Sequence, residues 1–377
     1  MAGARLTRRL PPLWLAEGSR FAGLSRPRAR LVLALLALLL AACLTALASP
    51  GPPPVSHDPA QRGNDQADVV LYEGIVSGVR HGGEYYDVAA HALRAGNYPL
   101  RPFVTFRLPT LAVVQAHLPP FAVPLLLYAL AAGVVAAWYG RLRPAFVRPP
   151  PLAVALVLLI AGMAAFVQAE LATFHEVWAG LLIALGLAVR REDRWTEAVA
   201  LGLVAMLIRE TAALYVAIML GLALLEGRGR EAGGWAGALA VFAVVVVLHA
   251  RAVEQVVRPL DPASPGWAGM LGFGFFVKTM TLSTALALAP ALLAALLVGF
   301  ALFGWFCWAS GTALRVLATL AGYALLLSLF GRTDTFYWGL MVAPTLLLGL
   351  AFLPDGLRDL VAAARDGRRI TVTRVQP

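Results

Sequence analysis

Residues 31–48 read LVLALLALLLAACLTALA, eighteen positions without a charge and with Thr45 as the one hydroxyl. As a helix rising about 1.5 Å per residue, such a run covers about 27 Å, close to the ~30 Å hydrocarbon core of a bilayer. Nine further apolar runs follow, at 120–140, 152–170, 176–189, 196–208, 211–225, 235–249, 282–305, 312–330 and 336–353. The expected fold is therefore all-α, a polytopic membrane helix bundle of about ten transmembrane helices. Composition points the same way: 60% of the 377 residues are hydrophobic and 14% charged, with a mean hydropathy of +0.75. That leaves too little polar surface for a water-soluble globule and excludes a large soluble catalytic domain.

Charge sets the expected orientation. The net charge is +10, and all of the 31 basic residues except Lys278 are arginine. With the N-terminus in the cytoplasm, ten crossings place 21 basic residues inside and 10 outside, as the positive-inside rule requires. Merging 196–225 into one helix would move every later loop to the other side and expose a basic tail. The organisation expected is a basic cytoplasmic segment 1–30, a membrane domain 31–353 with an external loop 49–118, and a cytoplasmic tail 354–377. A bacterial inner (plasma) membrane suits this layout. Ala46-Leu47-Ala48 before Ser49 resembles a signal-peptidase site, but a thirty-residue leader before the apolar core favours a retained anchor. Cys43 and Cys307 both fall in apolar runs, so no disulfide framework is expected.

The loop 49–118 opens on Pro50-Gly51-Pro52-Pro53-Pro54, which breaks the helix. From Asp68, Val69, Tyr72, Val76 and Val79 recur at helical spacing, with Glu73, Ser77 and Arg80 opposite them, predicting a helix lying on the membrane surface. A second helix, 85–94, should stop at Gly96-Asn97, and 98–103 should run extended.

Ionisable groups near apolar helix ends are costly and mark candidate sites. Four groups qualify: Asp68 with Glu73, Glu84 and Asp87; His175-Glu176; Arg209-Glu210; and Arg332, Asp334 and Tyr337. All four fall on the outer side of the ten-helix topology. The runs 176–189 and 196–208 are short, so their outer ends would stop below the membrane surface and floor an outward-facing cavity. Structural roles compete with each of these: a solvated carboxylate for Asp68, an internal ion pair for Arg209 and Glu210, a satisfied histidine for His175, and interfacial snorkelling for Arg101 and Arg107. Other chemistry is poorly represented. The stretch His175-Glu176-Val177-Trp178-Ala179 lacks the second histidine of a zinc helix, and neither a dinucleotide fingerprint nor a Walker loop is present. Ser310-Gly311 has no histidine nearby in sequence to activate a serine.

Asp68-Val69-Val70-Leu71-Tyr72, Gly82-Gly83-Glu84-Tyr85-Tyr86-Asp87, Gly96-Asn97-Tyr98-Pro99 and Phe106-Arg107-Leu108-Pro109-Thr110, set in this layout, resemble the GT-C class of integral membrane glycosyltransferases. The resemblance is nearest to the polyprenol-phosphate mannosyltransferase-like branch. It implies a polyprenyl-phosphate-linked sugar as donor, membrane lipid and the polyprenyl-phosphate carrier as partners, and no nucleic acid. It also implies an acidic residue of the first external loop as base, for which Asp68 is the choice. Arg107, Arg209 and Arg332 are candidates for the leaving phosphate, because a guanidinium fork matches phosphate oxygens. Tyr72, Glu73, Tyr85, Tyr86, Arg101, His175, Glu176, Glu210 and Tyr337 complete the expected substrate contacts. A phosphate monoester leaving group requires no metal or other cofactor. A transporter or flippase for an amphipathic substrate, or a non-catalytic scaffold, remains a competing class.

Overall fold

The computed structural model describes residues 11–51 and 67–365. Part of the proline run after Pro50, the first ten residues and the tail arginines Arg368, Arg369 and Arg374 lie outside them. The described chain is helical throughout, with two isolated bridges, Leu15 to Phe146 and Arg101 to Ala263, as its sole strand-like pairings. In chain order the helices are α1 Arg26–Cys43, α2 Ala67–Arg80, α3 Tyr85–Ala95, α4 Thr110–His117, α5 Ala122–Leu142, α6 Pro149–Gly162 and α7 His175–Val189. They continue as α8 Thr196–Ile208, α9 Ala213–Leu225, α10 Gly229–Val256, α11 Gly272–Leu282, α12 Ala291–Cys307, α13 Gly311–Phe330 and α14 Leu353–Arg365.

Among the described residues, four segments are long and apolar enough to cross a membrane: Arg26–Leu47, Ala122–Ala145, Gly229–Val256 and Gly311–Phe330. A fifth is a pair, Thr333–Met341 and Ala343–Arg365, bent by 58°. Five more apolar helices are shorter than a span: α6, α7, α8, Glu210–Leu225 and α12. These helices are compatible with an integral membrane protein, and the ten expected runs, two of them already short in the sequence, divide into these unequal classes.

Three expected runs take a different form. The run 152–170 gives α6, which ends at Gly162; a Cβ there would collide with the Ala343 and Pro344 carbonyls, and the chain continues in two 3-10 turns through exposed Gln168 and Glu170. The run 282–305 begins only at Ala291. Before it lie α11 and a turn that Thr284 caps through its hydroxyl, and Pro290 then starts α12 afresh. The run 336–353 is broken into 3-10 and α pieces around Pro344. Its backbone presses against α7 and α12 so closely that a Cβ on Gly180 would strike the Leu340 carbonyl, and one on Gly304 the Gly349 carbonyl. Close packing here replaces regular helix as the way backbone meets backbone.

The first helix is part of the bundle. Its Ala29, Leu36 and Cys43 are buried, and Gly299 of α12 sits against Leu40 and Cys43. Ahead of it, the backbone N–H groups of Leu13, Trp14 and Leu15 donate to the Asp355 carboxylate at 2.7, 2.8 and 3.0 Å. Ser19 donates to Asp359 at 2.8 Å. The segment 11–24 is thereby fastened to α14.

A second, smaller core joins α2, α3 and α4 through Leu71, Ile75, Val76, Ala89, Leu93 and Ala112. The amphipathic reading of α2 matches this burial, with Glu73, Ser77 and Arg80 exposed. Glu84 caps α3 by accepting from the Tyr86 N–H at 2.9 Å, and Asn97, at φ +57°, makes the left-handed turn after Gly96.

Candidate active site

A cavity of about 780 Å³ lies between this small core and the main bundle. Asp68 and Tyr72 reach it from α2, Arg107 from the loop before α4, His175 from the start of α7, and Arg332 and Tyr337 from the stretch after α13. Tyr85 and Tyr98 also line it. Residues separated by more than 250 positions in sequence thus share one surface.

Asp68 is half-buried. Its Oδ1 accepts from the Tyr98 hydroxyl at 2.7 Å, and no salt bridge reaches it among the described residues. Burial raises its carboxyl above the usual range, and the Tyr98 hydrogen bond and the Arg107 charge draw it partway back. The same burial, and the hydrogen bond to Asp68, push the Tyr98 hydroxyl up. A carboxylate held in this way can accept a proton from a ligand hydroxyl.

Arg107 is held from several sides. Its Nε donates to the Tyr72 hydroxyl at 3.2 Å, its Nη2 lies 3.9 Å from Glu176, and its carbonyl accepts from the Tyr85 hydroxyl at 2.7 Å. The next backbone N–H, that of Leu108, donates to Glu210 at 3.0 Å. Arg332 is more open: it bonds Asp334 at 2.9 Å and the Gly266 carbonyl at 3.1 Å.

Beneath the cavity lies a buried ionic layer. Arg209 donates to Glu176 at 2.5 Å and to Glu210 at 2.8 Å, and its guanidinium lies 5.5 Å from the Trp338 ring. Arg209 is only 3% exposed and does not line the cavity. The expectation that it meets the leaving phosphate is therefore corrected: its donors are engaged by two carboxylates that support the Arg107 segment. Glu176 and Glu210, expected as contacts themselves, likewise belong to this layer and do not line the cavity, and three further expected contacts lie elsewhere. Glu73 is exposed on the far side of α2. Tyr86 bonds His249 at 3.1 Å. Arg101 donates to the Asp261 carbonyl at 2.6 Å and, with the Arg94 fork on the Asp261 carboxylate, anchors the loop after α10. That fork holds the Asp261 carboxyl down to about 2.

Sequence reasoning missed Tyr98, Thr105, Thr173, Phe174 and Trp267, all of which line the cavity. The signal for Tyr98 was its place in the Gly-Asn-Tyr-Pro turn, where left-handed Asn97 reverses the chain toward Asp68. Thr173 and Phe174 had none, because they lie in the short uncharged stretch between the runs 152–170 and 176–189. Among the described residues no cluster of three or more metal-ligating side chains occurs.

No family model, no curated protein and no solved structure matches this chain.

Proposed function

We infer that this protein is an integral membrane glycosyltransferase that moves a sugar from a polyprenyl-phosphate carrier to an acceptor on the outer face of a bacterial inner membrane. The observation that carries the reading is one cavity in which a half-buried carboxylate without a salt-bridge partner among the described residues, Asp68, stands with two arginines, Arg107 and Arg332. In this reading the five shorter helices also cross, giving ten crossings with both termini cytoplasmic. The loop that carries α2, α3 and α4 then lies outside.

Helix α7 fits that placement. Glu176 pairs with Arg209 at its start, and Arg190 forks onto Glu231 at 2.9 and 2.6 Å just past its end. Fifteen residues at about 1.5 Å each leave an apolar depth near 22 Å, less than the ~30 Å core. The cavity floor thus sits below the outer surface, where a lipid phosphate and a water-soluble acceptor can meet.

The acceptor hydroxyl oxygen bonds to the anomeric carbon as the bond from that carbon to the phosphate oxygen breaks. The bonding pair leaves with the phosphate, whose charge Arg107 and Arg332 stabilise through charge-assisted hydrogen bonds. Asp68 takes the hydroxyl proton, a contribution of about 10² to 10⁴-fold. Lipid extracted from the purified protein tests the reading. Polyprenyl phosphate among the tightly held species supports it, and bulk phospholipid alone counts against it.

A further inference from the structure

A second concavity, of about 680 Å³, shares no residue with the candidate active site, and Ser328 is the sole polar side chain that lines it. It is a groove between α1 and α13, with the buried Leu302 and Phe303 of α12 as its floor. Leu35 of α1 and Leu325 of α13 line it while 54% and 61% exposed, so the groove is open along its length. Both flanking helices belong to segments long and apolar enough to cross a membrane, and in a bilayer the groove opens sideways to lipid. On α13 the lining runs from Leu317 to Ser328, a rise of about 16 Å at about 1.5 Å per residue. That is close to half of the ~30 Å hydrocarbon core, the depth of one leaflet.

One end of the groove is basic. Phe306 lines it near the end of α12, and the Arg20 guanidinium lies 5.2 Å from the centre of that ring. Arg20 is fixed in place: its backbone N–H donates to the Cys307 carbonyl at 2.8 Å, its Nε to the Phe306 carbonyl at 2.9 Å and its Nη2 to the Trp308 carbonyl at 3.2 Å. The adjacent Phe21 stacks on Phe303 at 5.5 Å. The Arg20 side chain is nevertheless exposed, and its Nη1 donors are not used within the described residues. On α1, Arg28 precedes Val32, Leu35 and Leu39 by four, seven and eleven positions, which is one face of a helix. It therefore stands on the groove side, one turn before the lining begins, and is exposed. Carboxylates close to this end are already engaged: Asp355 by the Leu13, Trp14 and Leu15 amides, and Asp359 by Ser19 and Arg358. Glu17 is the sole acidic residue before Asp58, against seven arginines.

An apolar slot about one leaflet deep, with two exposed guanidinium groups at its end, matches a lipid whose headgroup carries net negative charge. A zwitterionic headgroup would bring its own cation beside them. We propose that the groove between α1 and α13 binds an anionic glycerophospholipid, with an acyl chain along the groove and the phosphate at Arg20 and Arg28. The site is separate from the transfer chemistry and does not rest on the transferase reading.

The full chain in phosphatidylcholine nanodiscs should be given trace phosphatidylglycerol, or trace phosphatidylcholine, with a photoreactive group midway along one acyl chain, and the labelled peptides mapped. The phosphatidylglycerol probe should label 32–39 and 317–328 about fivefold or more above the phosphatidylcholine probe, since one basic residue beside an anionic headgroup accounts for about that factor. Unlabelled phosphatidylglycerol should compete the label away. Arg28→Gln should remove about fivefold of the preference. Leu325→Trp should fill the groove and abolish the labelling. Where its melting temperature falls, Ala321→Phe, at another exposed position in the groove, takes its place. Equal labelling by the two probes overturns the proposal in favour of ordinary boundary lipid. A preference that survives Arg28→Gln, or labelling that survives the filling variants, overturns the site. Displacement of the probe by polyprenyl phosphate at lower concentration than by phosphatidylglycerol overturns the choice of lipid and gives the groove to the carrier.

Discussion

At Asp68, one hydrogen bond sets how the proposed base titrates. A base works when ionised, so turnover should rise with pH through the Asp68 pKa. Burial raises that pKa and the Tyr98 hydroxyl lowers it, so the acid limb should lie above the ordinary carboxylate range. Tyr98→Phe removes the lowering influence and should move the limb further up, by about one pH unit for a hydrogen bond of about 1.4 kcal/mol. A limb that stays put or moves down would detach Tyr98 from the base. Asp68→Asn keeps the shape and cannot take the proton. It should cost turnover by about 10² to 10⁴-fold with carrier affinity unchanged. Full turnover in the amide variant would give the role to another carboxylate, and Asp334 is the one that shares the cavity.

Among the elements, α7 and the turn between α8 and α9 carry the ionic layer that supports the site. Arg209→Ala should strand Glu176 in the interior and destabilise the fold by about 3 to 5 kcal/mol, seen as a lower melting temperature. Carrier binding per folded molecule should stay within about twofold of the unaltered protein, a change under 0.5 kcal/mol. Lost binding at an unchanged melting temperature would return Arg209 to the phosphate. The sequence placed Arg209 and Glu210 correctly as costly charges, but it could not show which carboxylate each guanidinium meets, because Glu176 lies 33 residues away. The amphipathic α2 and the capped α3 were readable, since their periodicity and end signals are local. The broken stretch 333–352 and the separate helix α11 were not. The first packs its backbone against Gly180 and Gly304, and the second packs its side chains against Gly331 and Gly339; hydropathy carries no trace of that.

Across the whole molecule, the transferase reading predicts which turns face outward. Cysteines engineered beside Arg332 should react with an impermeant thiol reagent applied from outside, and cysteines beside Arg191 or Arg228 should not; the reverse pattern inverts the topology. Cys43 and Cys307 are fully buried, so the unaltered chain supplies little background. The clasp between Leu13–Leu15 and Asp355 matters on this scale as well. Asp355→Ala would leave three backbone donors without their acceptor, at about 1 to 3 kcal/mol for each one that stays buried, and should lower the melting temperature. The clasp also bears on biosynthesis. Leu13 and Asp355 are 342 residues apart, so at about 5 to 20 residues per second the ribosome needs roughly 17 to 70 s to deliver the carboxylate after the amides. Throughout that interval the amino-terminal stretch has no acceptor to close on, and a chain released early would leave it open to proteases.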